Sequence, residues 1–167
     1  MNKDVIFLVG FMGCGKSAVG KALAGKLGYT FFDTDEMVER NEGRSIEEIF
    51  ASSGEGYFRE REWEVLISLK GIRSAVVATG GGLFLGAQHR NFIREQGISV
   101  WLDSPFEDIL KRLKSGPVRP LFRDEADLKQ MLENRKGRYF LADHQIKTDD
   151  LGIHEIVEKI LLLLSSQ

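Results

Sequence analysis

The segment GFMGCGKS at residues 10–17 constrains the fold of this chain more than any other, because it matches the pattern G-x-x-x-x-G-K-[ST]. It follows the apolar run Val5–Val9, which predicts a buried strand, and it precedes a segment of helical periodicity over residues 16–27. Glycines in such a turn allow successive backbone N–H groups to point at one anion, and the positive end of the following helix adds to the attraction. The pattern therefore predicts a strand–loop–helix unit, the P-loop, that binds nucleotide phosphates.

Two side chains of this loop have expected chemical roles. Lys16 is expected to reach the β- and γ-phosphates of a nucleotide, and the hydroxyl of Ser17 is expected to ligate Mg²⁺. The other residues of the loop region expected to contact the nucleotide are Gly13, Cys14, Gly15 and Ala18. The alternative is a glycine-rich turn that only joins a strand to a helix. For the Cys14 side chain the alternatives are a small residue that fits between glycines and a redox-active thiol.

Short apolar runs alternate with longer helical segments along the rest of the chain, which predicts an α/β fold. Strands are predicted at 5–9, 30–33, 75–79, 98–102 and 144–147, and helices at about 16–27, 57–70, 87–96, 126–142 and 152–164. Ser45 and Glu48 have capping-box spacing and should open one more helix, and Pro105 should lie in the first turn of another that ends near Lys114.

The predicted strands do not alternate cleanly between apolar and polar residues, so we expect a parallel sheet covered by helices on both faces. Ligands bind such a sheet beyond the carboxyl ends of its strands. The segments Asp33-Thr34-Asp35 and Gly80–Gly82 each follow a predicted strand, as the P-loop does. They should therefore meet the P-loop at one edge of the sheet.

Composition excludes several classes of protein. A chain of 167 residues predicts one domain over residues 1–167. Its 23 Lys and Arg against 25 Asp and Glu give a net charge of −2, which provides no general attraction to nucleic acid or to an anionic membrane. The single cysteine and the lack of a long apolar run favour a cytoplasmic protein. The sequence shows no heptad pattern, so we expect a monomer.

Several motifs of this sequence resemble those of a known family and occur in the same order. GFMGCGKSAVGKALAGKLGYTFFDTD at 10–35 resembles the opening of shikimate kinases. Phe58-Arg59-x-x-Glu62, Thr79-Gly80-Gly81-Gly82, Val118-Arg119-Pro120-Leu121 and Arg135 four residues before Tyr139 then follow in the family's order. The resemblance implies ATP-dependent phosphorylation of the 3-hydroxyl of shikimate, in the chorismate route to aromatic amino acids. It also implies a P-loop NTPase of the nucleoside-monophosphate-kinase type, a three-layer α/β/α fold with a five-stranded parallel sheet, an acceptor-binding helical segment at about 35–62 and a lid at about 115–125.

The resemblance also implies roles for individual residues. Ser17 would ligate Mg²⁺, with Asp33 supporting the ion through water. Asp35 would bind the shikimate hydroxyls and accept the proton of the attacking hydroxyl. Arg59 and Arg135 would hold the carboxylate of shikimate. Gly81 would contact a ring hydroxyl through its backbone, and Gly80 and Gly82 would also belong to the substrate-binding site. Arg112 would lie over the adenine, and Arg119 of the lid would reach the transferring phosphate, so that the catalytic groups would be Lys16, Asp35 and Arg119.

Each role has a structural alternative that the sequence leaves open. Asp33 could cap a helix, Asp35 could be a charge in its first turn, and Gly80–Gly82 could be only a tight turn. The arginines could be surface charges: Arg59 in the run RERE, Arg135 on a long helix, and Arg112 beside Glu107 or Asp108.

Two departures from the family pattern affect the nucleotide side. Ala18 stands where many members have Thr or Ser, and residues 147–150 lack an arginine that many members place near the adenine. Rival functions are another small-metabolite kinase of the same fold, such as a gluconate kinase, and a nucleotide-binding regulatory module without catalysis.

Overall fold

The computed structural model describes residues 4–116 and 124–166. In this part of the chain five strands form one parallel sheet with the order β2-β3-β1-β4-β5. The strands are β1 Val5–Val9, β2 Thr30–Asp33, β3 Ala75–Ala78, β4 Ile98–Asp103 and β5 His144–Lys147. Every residue of β1 and β3 is buried, so helices cover the centre of the sheet on both faces. The parallel sheet predicted from the sequence is confirmed.

Seven α-helices and one short 3₁₀ turn occupy the same described residues. They are α1 Lys16–Leu27, α2 Thr34–Glu42, α3 Ile46–Ser68, α4 Ala87–Gln96, α5 Phe106–Lys114, α6 Glu125–Tyr139 and α7 Ile153–Ser165, with the 3₁₀ turn at Leu83–Leu85. Two predicted helix boundaries have the expected capping geometry. Gly28 takes a φ of 69° and donates its N–H to the carbonyl of Ala24, which ends α1. Ser45 and Glu48 form a capping box that opens α3.

Three helical regions differ in detail from the sequence expectation. The helix opened by Ser45 and the helix predicted from 57 are one kinked element, because only Gly54 departs from helical geometry (φ 81°, ψ 172°). Pro105 is the N-cap of α5 rather than a residue of its first turn. Helix α6 ends at Tyr139, three residues earlier than predicted, because the following amides form tighter i→i−3 hydrogen bonds and Phe140 packs edge-on against Trp101.

The apolar residues form two clusters of unequal size. The larger lies around the sheet and includes all of β1, residues 75–77 of β3 and residues 100–102 of β4. The smaller lies within α2 and α3 and consists of Val38, Ile49, Phe58 and Val65. Residues 35–62, predicted to bind the acceptor, therefore contribute three of the four residues of this smaller cluster.

The predicted lid at about 115–125 falls mostly outside the described residues. Residues 117–123, Arg119 among them, belong to the part of the chain on which the structure gives no description. Within residues 4–116 and 124–166, no helix has the length and apolar character needed to cross a membrane.

Candidate active site

The P-loop curls around the start of α1. Gly10, Gly13 and Gly15 have φ values of 142°, 77° and 98°, a region of backbone conformation that side-chain-bearing residues rarely adopt. Lys16, the first residue of α1, is only 8% exposed, and its Nζ donates to the carbonyls of Gly10 and Phe11 at 2.8 Å each. The loop therefore holds the lysine ammonium group next to its own backbone.

Ser17 and Asp33 form a hydroxyl–carboxylate pair beside the loop. The Oγ of Ser17 donates to Oδ2 of Asp33 at 2.5 Å, and Oδ1 of Asp33 accepts the N–H groups of Asp35 and Glu36 at 3.0 and 3.3 Å. Asp33 is thus the N-cap of α2 and also contacts Ser17, so capping takes up only one of its carboxylate oxygens and does not exclude a second role.

The chemistry of this pair fits Mg²⁺. Hydroxyl and carboxylate oxygens are hard ligands, and Mg²⁺ is usually bound by one or two protein groups together with phosphates and water. The described residues contain no cluster of three or more His, Cys, Asp or Glu able to hold a metal ion. Ser17 and Asp33 would accordingly suit an ion that is brought in with phosphates.

Two cavities adjoin at the carboxyl edge of the sheet. The P-loop cavity has a volume of about 210 Å³ and is lined by Met12, Gly13, Gly15, Lys16, Ser17, Ala18, Asp33, Asp35, Thr79, Gly81 and Arg112. The arginine cavity, of about 60 Å³, is lined by Met12, Asp35, Ile46, Phe50, Phe58, Arg59, Glu62, Gly81, Gly82 and Arg135. Since Met12, Asp35 and Gly81 line both cavities, Asp35 lies where the two meet.

Helix α3 brings an arginine and a buried glutamate together. Arg59 Nη1 donates to Glu62 Oε2 at 2.8 Å, and Nη2 donates to Glu55 Oε1 at 3.3 Å. Burial disfavours the charged guanidinium, but the two carboxylates outweigh this and raise the pKa of Arg59. Arg59 therefore lines the cavity as a fixed cation rather than as a solvated surface charge.

Glu62 is 1% exposed, and its environment opposes ionisation. Burial raises the pKa of Glu62 to about 7, Arg59 acts in the opposite direction, Asp35 raises the pKa further, and Arg135 lowers it. The carboxyl group is therefore partly protonated near neutral pH.

The glycines after β3 are required by close packing. A Cβ on Gly82 would lie 2.5 Å from Arg59 Nη2, and a Cβ on Gly81 would lie 3.0 Å from the backbone N of Met12. A Cβ on Gly80 would lie 2.6 Å from both Asp35 Oδ1 and Glu62 Oε1. The run is therefore more than a tight turn, because it lets charged side chains and the P-loop approach the backbone.

Helix α6 contributes a second arginine and a buried tyrosine. The guanidinium carbon of Arg135 lies 5.6 Å from the centroid of the Phe11 ring, and Nη1 of Arg135 is buried without a hydrogen-bond partner among the described residues. Tyr139, one turn later and 0% exposed, donates its hydroxyl to the carbonyl of Gly81 at 2.6 Å. Burial raises the pKa of the phenol, so that it stays a donor.

Comparison with known proteins identifies the family. The family model for shikimate kinase matches residues 12–165. A shikimate kinase from Persephonella marina is 42% identical over 157 residues, which cover 93% of this chain and 96% of that protein. The chain belongs to the shikimate kinase family. A second relative, the shikimate kinase of Microcystis aeruginosa, is 44% identical over 160 residues and covers 93% of this chain and 84% of its own.

A solved member of the family supports the fold. The structure of shikimate kinase from Acinetobacter baumannii in complex with shikimate has a TM-score of 0.93 at 38% identity, with 99% of this chain and 94% of that chain covered. The predicted P-loop NTPase fold of the nucleoside-monophosphate-kinase type is thereby confirmed, as is the resemblance that predicted it.

Most residues that the family resemblance assigns to the site lie at the two cavities. Those at the P-loop cavity are Gly13, Gly15, Lys16, Ser17, Ala18, Asp33 and Arg112, and those at the arginine cavity are Asp35, Arg59, Gly81, Gly82 and Arg135. Arg112 donates to the carbonyl of Gly13 at 3.1 Å. Gly80 lies beneath Asp35 and Glu62, and the side chain of Cys14 is buried in the large apolar cluster.

The sequence predicts no role for Glu62, Tyr139 or Thr34, which the structure places at the site. Glu62 follows Arg59 by three residues and Tyr139 follows Arg135 by four, so each pair shares a helix face, which was the available signal. Thr34 gave no such signal in the sequence. In the structure it is fully buried, and its Oγ1 accepts the N–H of Gly80 at 2.9 Å.

Proposed function

We propose that this protein transfers the terminal phosphoryl group of ATP to the 3-hydroxyl of shikimate. One observation carries the proposal: a P-loop cavity and a cavity with two arginines share Asp35 as a common wall. A polyphosphate in the first and a hydroxylated carboxylic acid in the second would bring the donor phosphorus and the acceptor hydroxyl together. Phosphoryl transfer depends mainly on such positioning and on charge stabilisation.

On the donor side, the amides of Gly13, Gly15 and Ala18 and the ammonium of Lys16 would bind the phosphates. Lys16 is already held at the loop and needs to exchange two carbonyl acceptors for phosphate oxygens. Ser17, with Asp33 behind it, would hold Mg²⁺, which when bound neutralises charge on the phosphate oxygens. Arg112 would lie against the base, and Arg119, outside the described residues, would reach the transferring phosphate.

On the acceptor side, Arg59 and Arg135 would bind the carboxylate through paired N–H groups, as planar guanidinium groups do. Asp35 would then receive the hydroxyl proton. In that step the acceptor oxygen bonds to the γ-phosphorus, the bond from this phosphorus to the bridging oxygen breaks, and ADP leaves. The bare backbone at Gly81 and Gly82 leaves room for the ring.

We also propose that the chain acts as a cytoplasmic monomer with one domain over residues 1–167. Residues 35–62 would bind the acceptor, a role supported by the smaller apolar cluster to which they contribute, and residues 115–125 would form a lid that excludes water. Size-exclusion chromatography with light scattering checks the oligomeric state.

The decisive experiment measures ADP release in a coupled assay with Mg-ATP and either shikimate or gluconate. We expect turnover with shikimate only. Turnover with gluconate alone would favour the other small-metabolite kinase, and ATP binding without transfer to either acid would favour a regulatory module.

The variant Asp35→Asn tests the proton acceptor in the same assay. We expect kcat to fall by at least about 100-fold, in line with the usual effect of losing a general base, while ATP affinity stays unchanged. An equal loss of ATP affinity would contradict the role given to Asp35.

A further inference from the structure

Glu62 is a buried residue in the wall of the arginine cavity. Its Oε2 accepts a hydrogen bond from Arg59, and its Oε1 is buried with no hydrogen-bond partner among the described residues. Helix α2 and the glycine run close it in, because a Cβ on Gly80 would touch both Glu62 Oε1 and Asp35 Oδ1. Water therefore has little access to stabilise a negative charge on Glu62.

The charge of an ionised Glu62 is compensated unevenly by its neighbours. Arg59 on the same helix is the main opposing charge, but it is shared with Glu55. Asp35 from α2 repels an ionised Glu62, and Arg135 from α6 attracts it. Arg59 also acts on two other titratable groups. Burial, and after it the charge of Arg59, lowers the pKa of the His89 imidazole of α4. Burial raises the pKa of the Tyr139 phenol of α6, and Arg59 opposes that rise.

An acceptor carboxylate bound to Arg59 and Arg135 would change this balance. It would occupy the two guanidinium groups that stabilise an ionised Glu62 and would add a further negative charge nearby. Both effects favour the neutral form of a buried carboxyl group.

We propose that Glu62 takes up a proton when the anionic acceptor binds to Arg59 and Arg135, so that acceptor affinity is coupled to pH. This inference rests on the proposed function, because it takes the acceptor to be a carboxylic acid held by these arginines.

The coupling has a defined direction. Before the acceptor binds, the pKa of Glu62 is about 7, and the added anion raises it. Well below pH 7 Glu62 is already protonated before the acceptor binds, and its titration leaves the affinity unchanged. Above pH 7 the proton must be taken from solution, so the Kd for the acceptor rises up to about tenfold per pH unit.

The test is calorimetric titration of the protein with shikimate, without nucleotide, at about pH 8 in buffers of different ionisation enthalpy. The slope of the observed enthalpy against buffer enthalpy counts the protons exchanged. We expect uptake of up to one proton per shikimate, and a slope of zero would overturn the inference. Failure of shikimate to bind at all would instead contradict the proposed function.

Three variants assign the proton to one residue. Glu62→Gln mimics the protonated form, so it should abolish uptake and make Kd independent of pH. Glu64→Gln, two residues away on the exposed side, is the matched control and should behave as wild type. His89→Gln should also retain uptake; loss in His89→Gln together with retention in Glu62→Gln would overturn the inference.

A second measurement keeps the inference testable if Glu62→Gln does not fold. The carboxamide of shikimate, which carries no charge, should bind the wild-type protein more weakly and without proton uptake. Uptake equal to that seen with shikimate would show that the acceptor charge does not drive it, and would overturn the inference.

Discussion

The hydroxyl of Tyr139 and the carbonyl oxygen of Gly81 are joined by a 2.6 Å hydrogen bond, which ties helix α6 to the loop after β3. Arg135 lies one turn before Tyr139, so the same bond sets the position of the arginine relative to the glycines across the cavity. The peptide bond between Gly81 and Gly82 is trans, as are all described peptide bonds. Because its carbonyl points at Tyr139, its N–H, which belongs to Gly82, points in the opposite direction.

Tyr139→Phe should raise the KM for shikimate about fivefold and leave the KM for ATP unchanged, because it removes one buried hydrogen bond of about 1 kcal/mol from the acceptor side. Steady-state kinetics with each substrate varied in turn measures the effect. Tyr29→Phe is the control, because Tyr29 precedes β2 and therefore lies at the end of the sheet away from the site. An equal rise in both KM values would show that Tyr139 supports the fold generally.

Gly82→Ala should weaken shikimate binding without unfolding the protein. Gly82 has an ordinary backbone conformation (φ −96°). The three atoms nearest to the added methyl group all belong to the guanidinium of Arg59, the closest at 2.5 Å, so the methyl group must displace the end of this flexible side chain. We expect a rise of about tenfold or more in the KM for shikimate, as for a weakened charge-assisted hydrogen bond.

Gly137→Ala is the matched control for that substitution. It lies in α6 with nothing within 4 Å of the added Cβ, and it should stabilise the helix by up to about 1 kcal/mol without changing kinetics. A Gly82→Ala variant with wild-type KM would mean that the position of Arg59 does not limit acceptor binding.

Asp33→Asn separates the two contacts of Asp33. Asparagine caps a helix as well as aspartate does, so α2 should remain stable, but the loss of the carboxylate charge beside Ser17 should raise the Mg²⁺ requirement about 10- to 100-fold. Activity as a function of Mg²⁺ concentration checks this. Asp33→Ala should in addition lower the free energy of unfolding by about 1 kcal/mol, and an unchanged Mg²⁺ requirement in Asp33→Asn would contradict the metal role.

Glu62 should make the protein less stable as pH rises. Its pKa is about 7 in the folded chain against a usual value of 4.5, so the folded state binds the proton more tightly than the unfolded state does. The stability present below pH 4.5 is therefore lost between pH 4.5 and about pH 7, by about 3 kcal/mol in total.

Chemical denaturation at a series of pH values measures this loss, and Glu62→Gln should remove it. Glu64→Gln, whose side chain is more than half exposed in wild type, should keep the wild-type pH dependence. Parallel curves for Glu62→Gln and wild type would show that Glu62 is not responsible.

Much of the fold could be predicted because its signals are local. The apolar run Val5–Val9, the glycine at 28 and the Ser45–Glu48 spacing each specify an element or its end within a few residues. The kink in α3 was less accessible, because a Gly at 54 is tolerated in a helix and only the backbone conformation shows the break.

The candidate site was predictable where motifs name residues and not where contacts cross the fold. Lys16 and Ser17 follow from the loop pattern, whereas Thr34 is an ordinary residue between two aspartates until its hydroxyl is found on Gly80. The same holds for Glu62, whose burial depends on α2 and the glycine loop as well as on its own helix.

The sequence by itself determined the P-loop, the parallel sheet and the family, because these depend on residue type, spacing and periodicity along the chain. The tertiary structure decided which polar groups line a common cavity and that Asp33 divides its two oxygens between a helix cap and Ser17. It also decided that burial raises the pKa of Glu62 to about 7. Those properties depend on burial and on distances of a few ångströms between separate elements, and only the packed chain sets them.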